Sequence, residues 1–240
     1  MSSGAAVLLL HAALGDSRSW APQVEALRAA GHNPIAPDLP GYGNEPLRPG
    51  RISYVDYAAA LLDGPAAVVG CSFGGRVALE LAVERPELVE RLVLVNAALP
   101  GWDWSAAVQA ANAEEDEALD RGDIPAAAEA NMFWLGPDAS EEVRDLVRAM
   151  VSRNFELVLP VYEQVESVPV APPANERLGE IGVPTLIVVG AEDVADMVEI
   201  AAILDAGIAD TRIETIEGAG HLPSLERPDE LNRLLLAFLQ

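Results

Sequence analysis

Lysine is missing from this chain: all 15 basic residues are arginine, set against 38 acidic ones, for a formal net charge of −23. Nucleic acid and anionic membrane surfaces are poor partners for that balance. Cysteine is nearly missing as well. The single Cys71 excludes an internal disulfide and a cysteine-based zinc cluster, and it fits a reducing compartment, most simply the cytoplasm. Only three histidines, His11, His32 and His221, are available for proton transfer. No apolar run is long enough to span a membrane, and Met1-Ser-Ser-Gly-Ala-Ala ahead of Val7 carries no basic leader, so a soluble, unprocessed protein is expected. No internal repeat or low-complexity tract is present beyond a general richness in alanine.

What is there suits one generous domain, or one domain with an insertion: 240 residues, half of them apolar. Short runs of Val, Ile and Leu at Ala5 to Leu10, Pro34 to Ala36, Ala66 to Val69, Leu92 to Val95, Thr185 to Val189 and Arg212 to Ile216 predict buried strands. Helical spacing fills Trp20 to Ala30, Tyr54 to Leu62, Gly74 to Glu84, Val194 to Asp205 and Pro228 to Leu239. This alternation predicts an α/β fold with a mostly parallel sheet covered on both faces. The rhythm breaks from about Leu99 to Leu178, which has helical patches, no convincing strand, and interruptions at Gly136-Pro137 and Pro172-Pro173. We read residues 99–178 as an inserted helical cap and residues 1–98 with 179–240 as the sheet domain.

Ligands of open α/β sheets lie beyond the carboxyl ends of the strands, and the polar residues of interest fall there. Gly70-Cys71-Ser72-Phe73-Gly74-Gly75 follows one predicted strand and opens a helix, the context that a nucleophile elbow requires. A serine at so tight a turn leaves no room for side chains two positions away, which Gly70 and Gly74 respect. The amide of Phe73 starts the helix and is free to donate to a developing oxyanion. After the first strand, His11-Ala12-Ala13-Leu14-Gly15 offers the Ala13 amide as a second donor, with His11 buttressing the loop. His221, in Gly218-Ala-Gly-His-Leu-Pro223, and Asp193, in Gly190-Ala-Glu-Asp, follow the last two strands and supply a base and its orienting carboxylate. Glu192 and Asp196 are the alternatives to Asp193, and His32 is a solvated loop residue.

These residues resemble the α/β-hydrolase superfamily, specifically its capped esterase, lactonase and carbon–carbon hydrolase group. The order Ser72, Asp193, His221 is the order of that fold. Asp38-Leu-Pro-Gly41-Tyr-Gly43 is similar to the family's Asp-x-x-Gly-x-Gly turn, and Arg85-Pro86 through Val95 is similar to its segment leading into the next strand. Two departures are the Ala12 that stands where the family usually has glycine, and the short stretch before the first strand, which implies about six strands. The resemblance implies hydrolysis of a small or medium ester or lactone through an acyl-enzyme on Ser72, without cofactor or metal. Thioester or carbon–carbon hydrolysis, perhydrolysis and non-catalytic ligand binding share the same residues.

Trp102, Trp104, Met132, Phe133, Trp134, Phe155 and Tyr162 gather in the 99–178 stretch. Such a cluster serves first as the insertion's own core, and Trp102, Trp104, Phe133 and Trp134, with Leu222, are the candidates for lining a substrate pocket. Arg121, Arg144, Arg148 and Arg153 are candidates for a local carboxylate site, Glu114 to Glu117 read as a solvated helix face, and Cys71 reads as buried packing.

Overall fold

The computed structural model describes residues 4–240, so Met1, Ser2 and Ser3, on which the expectation of a leaderless start rests, lie outside it. In chain order the strands are β1 (Ala6–Leu10), β2 (Asn33–Ile35), β3 (Gly50–Ile52), β4 (Ala66–Cys71), β5 (Val89–Val95), β6 (Val165–Ser167), β7 (Thr185–Gly190) and β8 (Thr211–Ile216). The helices are α1 (Ala21–Ala29), α2 (Tyr54–Ala60), α3 (Phe73–Glu84), α4 (Ala106–Asp120), α5 (Ile124–Ala130), α6 (Glu141–Val158), α7 (Ala195–Gly207), α8 (Pro223–Glu226) and α9 (Pro228–Phe238). Six strands form one sheet in the order β2-β1-β4-β5-β7-β8, and every pairing in it is parallel.

The unbroken apolar runs follow from burial on both faces. Alternate residues of the same strands enter two separate cores. Leu8, Leu10, Val68, Leu92, Leu94, Ile187 and Val189 pack with α2, α3 and α7. Val7, Leu9, Val69, Val93, Val95, Leu186 and Val188 pack on the opposite face with Leu27 of α1 and with Leu231, Leu234 and Leu235 of α9. The last three recur at the spacing of one helix face.

Between β5 and β7 the chain makes α4, α5 and α6, and Val147, Met150 and Val151 of α6 join the second core. This insertion therefore shares its packing with the sheet. One strand was not foreseen in it: β6 pairs in parallel with β3 through Gly50–Val165, Arg51–Glu166 and Ile52–Ser167. Both strands span three residues and are largely exposed, too short and too wet to leave an apolar pattern. Among the described residues no helix is long and apolar enough to cross a membrane.

Candidate active site

Ser72 sits between β4 and α3 with φ 52° and ψ −114°, a left-handed conformation that costs a non-glycine residue on the order of 1–3 kcal/mol. The surroundings leave it no alternative. A methyl group on Gly74 would fall 2.2 Å from the carbonyl oxygen of Leu10, and one on Gly70 would fall 2.2 Å from that of Gly74. The strained turn is held from both sides, because Ser72 donates its amide to Val95 O at 3.0 Å and its carbonyl accepts from Arg76 at 2.9 Å and Ala98 at 3.0 Å. Among the described residues, no protein acceptor takes the amides of Phe73 or Ala13.

His221 and Asp193 meet after β8 and β7. The imidazole Nδ1 lies 2.6 Å from Asp193 Oδ2, and both side chains are almost fully buried. Asp193 Oδ1 accepts from the Val194 amide at 2.8 Å, which fixes the carboxylate. The two other carboxylates named for this position are placed elsewhere: Glu192 is exposed, and Asp196 accepts from Trp102 Nε1 at 3.0 Å and from the Ser105 amide at 2.9 Å, tying the segment after β5 to α7. Those hydrogen bonds outweigh the burial that opposes its charge, so the Asp196 carboxyl titrates below its ordinary value. Cys71, the residue before Ser72, directs Sγ to the carbonyl of His221 at 3.5 Å, so the histidine turn lies against the elbow. Burial drives the Cys71 thiol far above its ordinary pKa, which leaves it a packing residue.

Two residues of this assembly escaped the sequence reading. Asn96, left-handed at φ 42° just after β5, donates Nδ2 to Gly220 O at 3.0 Å and His221 O at 3.2 Å. Its Oδ1 accepts from Gly190 at 3.0 Å, so one amide clamps the turn after β7 to the turn after β8. Glu226, buried in α8, accepts from the amides of Gly136 at 2.8 Å, Gly220 at 3.0 Å and Leu222 at 2.9 Å. A carboxylate that bonds three backbone amides holds the insertion and the histidine turn as one piece. Asn96 is marked in the sequence only by following a strand, and Glu226 by nothing.

The loop after β1 is equally fixed. His11 is fully buried, and its Nε2 accepts the Leu39 amide at 2.9 Å while Nδ1 donates to Ala12 O at 2.9 Å. Burial, only partly offset by the Ala12 carbonyl, lowers its pKa, and a neutral ring bonded at both nitrogens is a buttress. Asp38 accepts from Ser17 at 2.8 Å and from Asn44 at 2.9 Å, and a methyl group on Gly43 would fall 2.5 Å from its carboxylate, which explains the glycine of that turn. Asn154 of α6 donates to Gly15 O at 3.0 Å and accepts from the Gly43 amide at 3.0 Å, so the insertion grips this side too.

The aromatic candidates divide. Trp134 lies over the His221 ring at 4.6 Å and accepts the His221 amide on its carbonyl at 2.9 Å; Trp104 and Phe133 meet its edges at 6.0 and 5.5 Å. Trp102 is anchored on Asp196, Met132 and Leu222 are buried in the second core, and Tyr162 is 69% exposed and away from the cluster. Phe155 borders a cavity of about 170 Å³ beside Ala13, with Tyr42, Glu115, Asn131 and Val151 among its walls. Glu115 is thus half-buried and bonded to Asn131, a correction to the reading of Glu114 to Glu117 as wholly solvated. No arginine lines that cavity. Arg144 bonds the carbonyls of Gly136 and Ala139, Arg148 pairs with Glu129, Glu141 and Asp145, Arg153 bonds Gly43 O and Glu156, and Arg121 borders a groove on the outer surface.

The model of the alpha/beta hydrolase family matches residues 7–234. RutD of Azorhizobium caulinodans, a protein named as a carbamate hydrolase, is 30% identical over 98% of this chain and 91% of its own length. A 2-hydroxy-6-oxononadienedioate/2-hydroxy-6-oxononatrienedioate hydrolase of Pseudomonas putida is 27% identical over 98% of this chain and 87% of its own. A thermophilic esterase of Thermogutta terrifontis superposes with a TM-score of 0.79 at 24% identity, over 99% of this chain and 90% of that one.

Proposed function

Because the chain belongs to the alpha/beta hydrolase family, we propose that it is a serine hydrolase that cleaves a small or medium carboxylic ester or lactone through an acyl-enzyme on Ser72. The observation that carries this reading is the His221–Asp193 hydrogen bond of 2.6 Å set against an elbow that holds Ser72 at φ 52°. Asp193 fixes the imidazole with Nδ1 as its donor, which leaves Nε2 to take the proton of Ser72 as Oγ attacks the carbonyl. The negative charge that develops on the carbonyl oxygen is met by the amides of Phe73 and Ala13, the first aided by the positive end of α3. The proton then passes to the departing alkoxide. Water, deprotonated by the same imidazole, attacks the acyl-enzyme and returns Ser72 to its starting state.

The insertion serves as a cap over this site. Trp134 against His221 and the Glu226 bonds to Gly136 support that role, since they couple the covering layer to the base itself. The carbamate named for the relative from Azorhizobium keeps a second acyl chemistry in view, because a carbamate carbonyl is attacked by the same nucleophile and stabilised by the same two amides. Release of p-nitrophenol from acetyl, butyryl and octanoyl esters, with Ser72→Ala as the control, tests the proposal. Turnover by the wild type that is lost in the variant is the expected result. Equal silence from two folded proteins, on carbamates as well as esters, overturns it.

A further inference from the structure

The cavity beside Ala13 has an asymmetric polar wall. Val151, Phe155, Val158 and the Tyr42 ring supply apolar surface, and Glu115, Asn131 and Asn154 supply the polar part. Asn131 directs one nitrogen, Nδ2, both to the carbonyl of Ala127 at 2.9 Å and to the carboxylate of Glu115. A carbonyl can only accept, so the atom facing Ala127 is the nitrogen, and both of its hydrogens are consumed. Among the described residues, Asn131 Oδ1 and the second oxygen of Glu115 take no hydrogen bond, while Asn154 is committed to Gly15 O and to the Gly43 amide. No cation lines the wall. Burial raises the pKa of Glu115, opposed by the Asn131 hydrogen bond and helped by its neighbour Asp116, so the ionised form is disfavoured until a cation is brought beside it.

Resting on the proposed acyl chemistry at the adjoining elbow, we infer that this cavity is a subsite for a positively charged, hydrogen-bond-donating end of the substrate, a primary ammonium group on a short alkyl chain, and that it rejects carboxylates. The apolar walls accommodate the methylene chain, and the ammonium donates to Glu115 and Asn131 Oδ1. A carboxylate in the same place would meet the Glu115 carboxylate as a like charge, with no cation in the wall to offset it. Glu115 is thereby the specificity-determining residue.

Titration calorimetry with hexylammonium and with hexanoate reads this directly and needs no turnover. The wild type is expected to bind hexylammonium at least about tenfold more tightly than hexanoate, and Glu115→Gln, which keeps the hydrogen bond from Asn131, is expected to lose about tenfold in hexylammonium affinity. Glu117→Gln, an exposed change on the same helix, controls for general attraction to an acidic protein and is expected to leave affinity unchanged. Equal binding of the two probes to the wild type, or equal weakening by Glu115→Gln and Glu117→Gln, overturns the subsite. Acetyl ester turnover, whose acyl group is too short to need the cavity, separates this result from the parent reading. Ser72-dependent turnover with no Glu115-dependent binding removes the subsite alone. Glu115-dependent binding without turnover leaves the subsite standing and removes the hydrolase reading.

Discussion

At the carboxyl edge of the sheet the backbone leaves no space. A methyl group on Gly74 would lie 2.2 Å from Leu10 O, and one on Gly190 would lie 2.1 Å from Gly220 O. In the insertion the chain is held by side chains instead: Asp196 takes Trp102 and Ser105, Asn154 joins Gly15 to Gly43, and Glu226 joins Gly136 to Gly220 and Leu222. Groups fixed on rigid strand ends keep their geometry better than a segment held by side chains, and the two regions should respond to substitution in different ways.

The largest effect is expected at the edge. Gly74→Ala forces its new atom against backbone that cannot move aside, so the protein should lose more than about 4 kcal/mol or fail to accumulate in folded form; solubility and urea unfolding check this. A merely lowered activity with normal stability would show that the edge is softer than the contacts imply. At the joint between the regions, Glu226→Gln keeps the shape but cannot accept all three amides with both of its terminal atoms. It should cost about 1–3 kcal/mol and lower kcat more than it raises KM, since it loosens the histidine turn rather than the pocket.

A smaller, pH-dependent effect belongs to His11. Its folded pKa lies below 6.5, so the folded state resists a proton that the unfolded chain takes up. Stability is therefore fully present above pH 6.5 and falls as the pH drops through the window below it. His11→Gln should flatten that part of a stability profile between pH 7 and pH 5, while the fall at lower pH, where Asp38 with its lowered pKa takes up its proton, should persist. The smallest effect is expected at the outer end of the insertion. Tyr162→Ala, at a side chain 69% exposed, should change stability by less than about 0.5 kcal/mol and leave ester turnover alone.

The same contrast explains what could be read from the sequence. The central strands β1, β4, β5 and β7 are legible because burial on both faces leaves continuous apolar runs, and Ser72 because its glycines answer a constraint only two residues away; the outer strands β2 and β8 stand where strands are predicted but, lying at the sheet edges, are only partly buried rather than buried as expected. Asp193 and His221 stand out by their place after strands. Asn96, although it too follows a strand, and Glu226 do not, since they act across contacts 4 to 125 residues apart in sequence that no local pattern records. Glu115 was hidden among four consecutive acidic residues, and only the packing of α4 against α5 turns it from solvent toward Asn131. Strands β3 and β6 were missed for the opposite reason: three exposed residues have no pattern to leave.

The central claim is that Ser72 is the nucleophile, and its most direct test is covalent labelling with a fluorophosphonate ester followed by peptide mass mapping. One adduct on the peptide carrying Ser72, formed by the wild type and abolished by His221→Ala, is the predicted result. A folded wild type that stays unlabelled, or one labelled elsewhere with Ser72 unmodified, would contradict it.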